Sequence, residues 1–351
     1  MRTAILSTRA ADGDDQQAIA AWLLVCCAMI FIMVVLGGVT RLTHSGLSMV
    51  EWRPVTGWLP PRGQAEWQMT FDKYQQFPEF QKLHSDMTLE GFKSIFWFEF
   101  IHRLWGRFIG LVFFIPFLYF LLRGQIRGKL MRNAIGVFLI GALQGVLGWY
   151  LVKSGLIDRP DVSQYRLTAH LGLAFLIYGY IFWVALGLLF PNSERRKPGN
   201  ARRLRRTGLL LLALVSITIL SGGLVAGLDA GLAYNTFPLM GGRLIPEHMF
   251  AVEPGVMNFF ENIAAVQFSH RCLAILTLLG VTVLWLMSRP YSLGRRCRSL
   301  IYWLLGAAVL QLALGISTLL LKVPVALAAA HQATALVFFT LALWVVRELS
   351  G

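Results

Sequence analysis

IFWFEFIHRLWGRFIGLVFFIPFLYFLL, residues 95–122, is a stretch that lipid can hold more easily than water. Its ionisable residues, Glu99, His102, Arg103 and Arg107, crowd into the first half, and Phe108–Leu122 carries no charge at all. An α-helix rises 1.5 Å per residue, so about 20 such residues cross the hydrocarbon core of a bilayer. Seven more stretches of this kind can be read, over 20–42, 131–152, 167–190, 207–228, 262–287, 298–320 and 324–346. The chain is 56% hydrophobic and only 14% charged, whereas a soluble domain carries about 25% charged residues. The fold class expected is an all-α integral membrane protein with eight transmembrane helices.

Charge placement orients those helices. Loop 123–132 carries Arg123, Arg127, Lys129 and Arg132, loop 191–206 carries seven basic residues and one acid, and loop 288–298 carries four arginines. Together they account for the whole net charge of +14. They are alternate loops, as the positive-inside rule requires, so they and both termini are expected in the cytoplasm. Topology thus explains the basic balance, and no nucleic-acid partner is expected. The first 17 residues mix Arg with Asp and hold no apolar block, unlike a signal or transit peptide. Cys26, Cys27 and Cys272 fall in apolar segments and Cys297 in a basic loop, so no disulfide framework is expected.

The chain also repeats itself. GGVTRL (37–42) is echoed by GGLVAGL (222–228), EFIHR (99–103) by QFSHR (267–271), LQGVLG (143–148) by LQLALG (310–315), and TAHLGLA (168–174) by AAHQATA (329–335). The order is the same in both sets, which predicts two tandem pseudo-symmetric four-helix bundles. An even number of spans per unit gives both copies one orientation. The expected divisions are a cytoplasmic tail 1–19, a first half 20–190 with a large outer loop 43–94, a basic linker 191–206, a second half 207–346, and a short cytoplasmic end 347–351. Gly106 with Gly110, Gly141 with Gly145, and Gly223 with Gly227 fit close helix packing.

Four of the seven histidines lie inside membrane segments: His102, His170, His270 and His331. Each sits a few residues from the outer end of its helix, roughly 5–12 Å below the boundary. His44, His84 and His248 fall in outer loops, where a solvated side chain is the default. Imidazoles paired from two facing helices are the usual way to hold a haem iron from both sides, which is the favoured reading here. Proton relay is the rival role for ionisable groups at this depth. With one acid nearby, zinc or di-iron sites are poorly served. Arg103 and Arg271 follow the first histidine of each pair; pairing to haem propionates, which suit a guanidinium fork, is favoured over snorkelling toward head groups. Arg41 and Arg107 share either option.

Glu99 is the difference between the copies, because Gln267 has its shape without its charge. A buried acid is costly unless paired, so structure alone favours the amide. One explanation is an i,i+4 ion pair with Arg103; the other is chemistry in the first half and redox service in the second.

On GGVTRLTHSGLSMVEWRPVTGWLPP (37–61), EFIHR, the four histidines and the tandem halves, the chain resembles the haem A synthase family, in its proteobacterial and mitochondrial branch. The resemblance covers essentially the whole chain. It implies an oxidoreductase of a bacterial inner membrane that converts the C8 methyl of haem O to a formyl group, yielding haem A for cytochrome oxidase assembly. It further implies Glu99 as catalytic carboxylate, His102 and His170 as ligands of the substrate haem iron, and His270 and His331 as ligands of a haem b cofactor. A haem O synthase, an electron-transfer partner, membrane lipid and a homo-oligomer are the partners expected. Some family members carry a cysteine pair in an outer loop, and this chain has none there. The competing classes are a di-haem electron carrier without chemistry of its own and a haem transporter.

Overall fold

The computed structural model describes residues 2–52, 56–156, 162–191 and 202–350, with the backbone alone over 2–12. Eight helices are long and apolar enough to cross a membrane. They are α1 (Arg2–Leu42), α4 (Leu89–Leu122), α5 (Gly128–Gly155), α6 (Gln164–Leu189), α7 (Arg202–Gly227), α9 (Ile263–Ser288), α10 (Arg295–Leu320) and α11 (Val325–Ser350). Three short helices lie between them: α2 (Gly63–Tyr74), α3 (Pro78–Leu83) and α8 (Asn258–Glu261). No strand forms among the described residues.

Helix ends follow local chemistry. Thr88 caps α4 by accepting from the Gly91 N–H at 3.3 Å, and Asn262 caps α9 by accepting from Ala264 (2.9 Å) and Ala265 (3.3 Å). Each satisfies amides that the helix itself leaves orphaned. The expected tail 1–19 instead continues α1 back to Arg2. No proline interrupts the stretch, and Asp15 accepts a hydrogen bond from Gln125 in the α4–α5 turn at 2.6 Å. That contact puts the start of α1 and the basic turn 123–127 at one end of the molecule. At the other terminus α11 runs to Ser350, through the expected end segment. Of the expected linker, 192–201 lie outside the described residues and Arg202–Arg206 open α7.

Helix pairing has a regular pattern. α1 lies against α4 and α6, and α5 lies against the same two; α7 lies against α9 and α11, and α10 lies against those two. Trp22 and Trp105 fix the α1–α4 pair, each indole N–H donating at 2.9 Å to a carbonyl of the facing helix, Val112 and Met29 respectively. Between the quartets α6 meets α7 and α11, and α1 meets α11. The Tyr178 hydroxyl of α6 and that of Thr340 of α11 share a 2.8 Å hydrogen bond. Buried side chains of all eight spans join in one apolar cluster. The quartets therefore share a core rather than owning one each.

Residues 43–52 and 56–88 form a cap on the first quartet. Phe71 and Tyr74 of α2 pack on Phe92, Phe96 and Phe100, in the first turns of α4. Tyr74 stacks on Phe92 at 5.2 Å, and Trp67 meets Phe96 edge-on at 4.9 Å. The Tyr74 hydroxyl donates to the Glu79 carboxylate (3.0 Å) and also bonds His84 Nδ1 (2.8 Å). Burial, with that carboxylate beside it, pushes the phenol well above its usual range, and burial lowers His84. His44 and His248 are exposed, as expected of loop residues, whereas His84 is half-buried and bonded into the cap. Aromatic packing of this kind is enough to order a 12-residue amphipathic helix that its sequence alone would leave marginal.

Candidate haem sites

Glu99 and Arg103 form a clamp on the loop that follows α1. Glu99 is 2% exposed. Its Oε1 accepts from the Arg103 guanidinium, and its Oε2 accepts from the Ser48 hydroxyl (2.8 Å) and the Met49 N–H (2.7 Å). Arg103 also donates to the carbonyls of Met49 (2.9 Å) and Glu51 (3.0 Å), and it lies over the Trp52 ring. A carboxylate is tolerated at this depth because donors surround it. The i,i+4 ion pair is thus present, and it is part of a larger device that holds residues 48–51 over the end of α4.

Gln267 and Arg271 repeat the device with reversed polarity. The Gln267 amide donates to the carbonyls of Ala230 (2.7 Å) and Tyr234 (3.4 Å), and its oxygen accepts from Arg271 at 3.0 Å. Arg271 further donates to Tyr234 (2.7 Å) and Thr236 (2.8 Å). One loop presents donors to an acid, and the other presents carbonyls to an amide. The Glu/Gln difference therefore has a local hydrogen-bonding reason besides any chemical one. Both arginines, expected to meet propionates, direct their terminal nitrogens to loop carbonyls.

The four membrane histidines come from α4, α6, α9 and α11, and each ring is seated on a glycine of a neighbouring helix. A methyl group on Gly37 (α1) would lie 3.2 Å from His102 Nε2, and one on Gly148 (α5) 3.1 Å from His170 Cε1. One on Gly222 (α7) would lie 3.2 Å from His270 Cε1, and one on Gly315 (α10) 2.9 Å from His331 Cε1. Any larger residue would displace the ring. Gln144 and Gln311, one turn before Gly148 and Gly315, donate to the carbonyls of His170 (3.0 Å) and His331 (3.1 Å). The Ser221 hydroxyl bonds His270 Nδ1 at 2.7 Å. His102 and His170 stand on helices that both pack against α1 and α5, and His270 and His331 on helices that both pack against α7 and α10, so each quartet holds two of the four.

The second glycine of each Gly-Gly pair faces the other quartet. Gly38 is covered by the Gln332 side chain of α11, whose amide donates to the Val34 carbonyl of α1 at 2.9 Å. Gly223 of α7 is covered by Thr168 of α6, backbone included at 3.2 Å. Gln332 adjoins His331, and Thr168 precedes His170 by two residues.

These sites suit a haem better than a smaller ion. Among the described residues no group of three or more His, Cys, Asp or Glu could share one metal ion. His170 and His331 each keep a buried Nδ1 without a hydrogen-bond partner, which a protein normally avoids. Two imidazoles from facing helices, each with a planar ring held on a glycine, match axial ligation of a porphyrin iron. All four cysteines are free, with Cys26, Cys27 and Cys297 buried.

Comparison with known proteins agrees in extent. The model of the cytochrome oxidase assembly protein family (COX15-CtaA) matches residues 20–343. The chain belongs to this family. It is 56% identical over 334 residues to the "Heme A synthase" of Nitrosospira multiformis, covering 95% of this chain and 94% of that one. Identity with the "Heme A synthase" of Nitrosomonas eutropha is 53% over 338 residues, or 96% and 95% of the two chains. With "Heme A synthase COX15" of Homo sapiens it is 46% over 340 residues, or 95% and 83%. The COX15-CtaA match begins at Ile19's neighbour Ala20 and ends at Leu343 of α11, so it takes in both histidine pairs and both loop clamps.

Sequence reasoning found the histidines, arginines and Glu99 but missed their supports. Ser48 stood unremarked inside the stretch 37–61, and Ser221 stood just before the repeated GGLVAGL. Gln144 with Gly148 and Gln311 with Gly315 carried a pattern: Q-x-x-x-G puts amide and glycine on one helix face, and both stood inside the repeated LQ motifs.

Proposed function

We propose that this protein is a haem A synthase: it oxidises the C8 methyl of haem O to a formyl group. The observation that carries the reading is the chemical inequality of two similarly built histidine sites, one with a buried acid and one with an amide. In this reading His102 and His170 bind the iron of haem O, and His270 and His331 hold a resident haem b. That cofactor, when bound, supplies one-electron transfer. With water as the oxygen donor, oxidising methyl to formyl releases four electrons and four protons for each water taken in (R–CH3 + H2O → R–CHO + 4 e⁻ + 4 H⁺). Glu99, four residues from Arg103 and one turn from His102, is the protein's proton acceptor there. Arg103 orients it and holds the 48–51 loop against water. The role of Arg103 and Arg271 toward propionates runs through the loops they anchor. Electrons leave through a redox partner, and a haem O synthase is the class of enzyme that must supply the substrate.

Pyridine-haemochrome spectra of the purified protein test this directly. Haem b together with haem O, its hydroxylated derivative or haem A is the expected result. Haem b alone points to an electron carrier, and no haem points to a transporter.

Duplication of a four-helix unit accounts for the matched helix neighbours, the matched clamps and the matched glycine seats. With termini and basic loops in the cytoplasm, the cap and the segment 228–262 face outward. A reporter enzyme inserted within 63–82 is expected to be active only outside the cytoplasm; cytoplasmic activity reverses the topology.

A further inference from the structure

We infer that Ser221 is a positioning residue that makes the His270 site a permanent haem site, and that Leu36 at the matching place leaves the His102 site exchangeable. The inference rests on the reading of both histidine pairs as haem sites. Its basis is a proton count. The Ser221 hydroxyl lies 2.8 Å from the Thr218 carbonyl of its own helix and 2.7 Å from His270 Nδ1. A hydroxyl has one proton, and a carbonyl can only accept, so that proton goes to Thr218. Toward His270 the oxygen then offers a lone pair, and Nδ1 must carry the hydrogen. Nε2 is left as the nitrogen with a free lone pair, which is the form that binds a metal.

The first quartet lacks this arrangement. In the register that aligns Gly37 with Gly222, Leu36 stands where Ser221 does. A leucine neither accepts from Nδ1 nor fixes the ring's sense. The two rings do sit in opposite senses: His270 turns Cε1 toward its glycine, and His102 turns Nε2. The other supports do not separate the sites, because Gln144 and Gln311 treat His170 and His331 alike. Ser221 against Leu36 is therefore a hydrogen-bond difference acting on the first histidine of each pair itself. An enzyme that keeps one haem and turns over another needs such a difference. A fixed tautomer with Nδ1–H donating to oxygen makes imidazole a better ligand; losing such a partner typically costs about 10–100-fold in metal affinity.

The experiment follows haem transfer from the purified, detergent-solubilised protein to excess apomyoglobin. Wild-type protein is expected to release haem in a fast phase and a slow phase. Ser221→Ala is expected to accelerate the slow phase about tenfold or more, to leave the fast phase unchanged, and to move the slow-phase haem's midpoint potential positive, because a less basic imidazole favours ferric iron less. Ser221→Thr keeps the hydroxyl and is expected to retain the wild-type rate and potential. An unchanged slow phase in Ser221→Ala overturns the inference, as does equal acceleration of both phases or a Thr variant as fast as Ala. Wild-type protein that holds no haem refutes the underlying haem reading instead.

Discussion

Glu99→Gln protein is expected to load haem at both sites and to form no detectable haem A, accumulating haem O or its hydroxylated derivative. The substitution makes the first motif QFIHR, nearly the second, and it changes almost no volume. It removes a buried acid one turn from His102, and an amide can neither take a proton nor balance developing positive charge. Loss of a positioned general base typically lowers rate by about 10²–10⁴-fold. The clamp adds a structural complication. Glu99 accepts from Ser48, Met49 and Arg103 together, and an amide nitrogen cannot accept. A mispaired Met49 N–H costs about 1–3 kcal/mol and loosens the 48–51 loop. Ser48→Ala separates the two effects, because it weakens the clamp and spares the carboxylate. It is expected to keep haem A production within a few-fold of wild type. Haem extraction and chromatography from cells supplied with haem O read both variants. Near-normal haem A from Glu99→Gln removes the catalytic role; equal losses in both variants make Glu99 a loop anchor.

His270→Ala and His331→Ala are each expected to abolish the low-spin b-type spectrum and, with it, haem A formation. Each leaves one imidazole where two are needed for six-coordinate low-spin iron. The fold should survive, since each ring rests against a glycine and its loss removes contacts rather than forcing a clash. Optical spectra of the purified variants decide the matter, and an unchanged low-spin b-type signal in either one would falsify the assignment of the cofactor. His102→Ala and His170→Ala are expected to spare that signal.

How much of this was legible in the sequence depended on the range of the forces involved. Apolar runs and loop charges report on the bilayer, a uniform solvent that acts on each segment independently, and the eight spans stood out for that reason. The histidines were legible because a polar group in lipid needs a purpose and because each occurred twice. The helices α2 and α3 within the outer loop were not, because Phe71 and Tyr74 become structural only when Phe92 and Phe96 are brought to them. Nor was the reach of α1: its first residues look like a solvated tail until Gln125 bonds Asp15. The loop partners of the arginines were not legible, since a guanidinium suits a propionate and a loop carbonyl equally well, and only the fold supplied the carbonyls. Ser221 is one hydroxyl at the edge of a motif, and only its distance to His270 gives it a role.

The Gly-Gly pairs have a consequence for how such a protein changes over generations. At each pair the first glycine answers to a histidine of its own quartet and the second to a helix of the other. A replacement at Gly38 is thus first felt beside His331, and one at Gly223 beside His170. Neither quartet can drift alone at these positions. A chimera joining the first half of one relative to the second half of another should fail wherever residue 38 and residue 332, or 223 and 168, come from lineages that solved the fit differently, and restoring the pair together should mend it. The two quartets differ at Glu99 and Gln267, yet at these glycines each is bound to the other in shape.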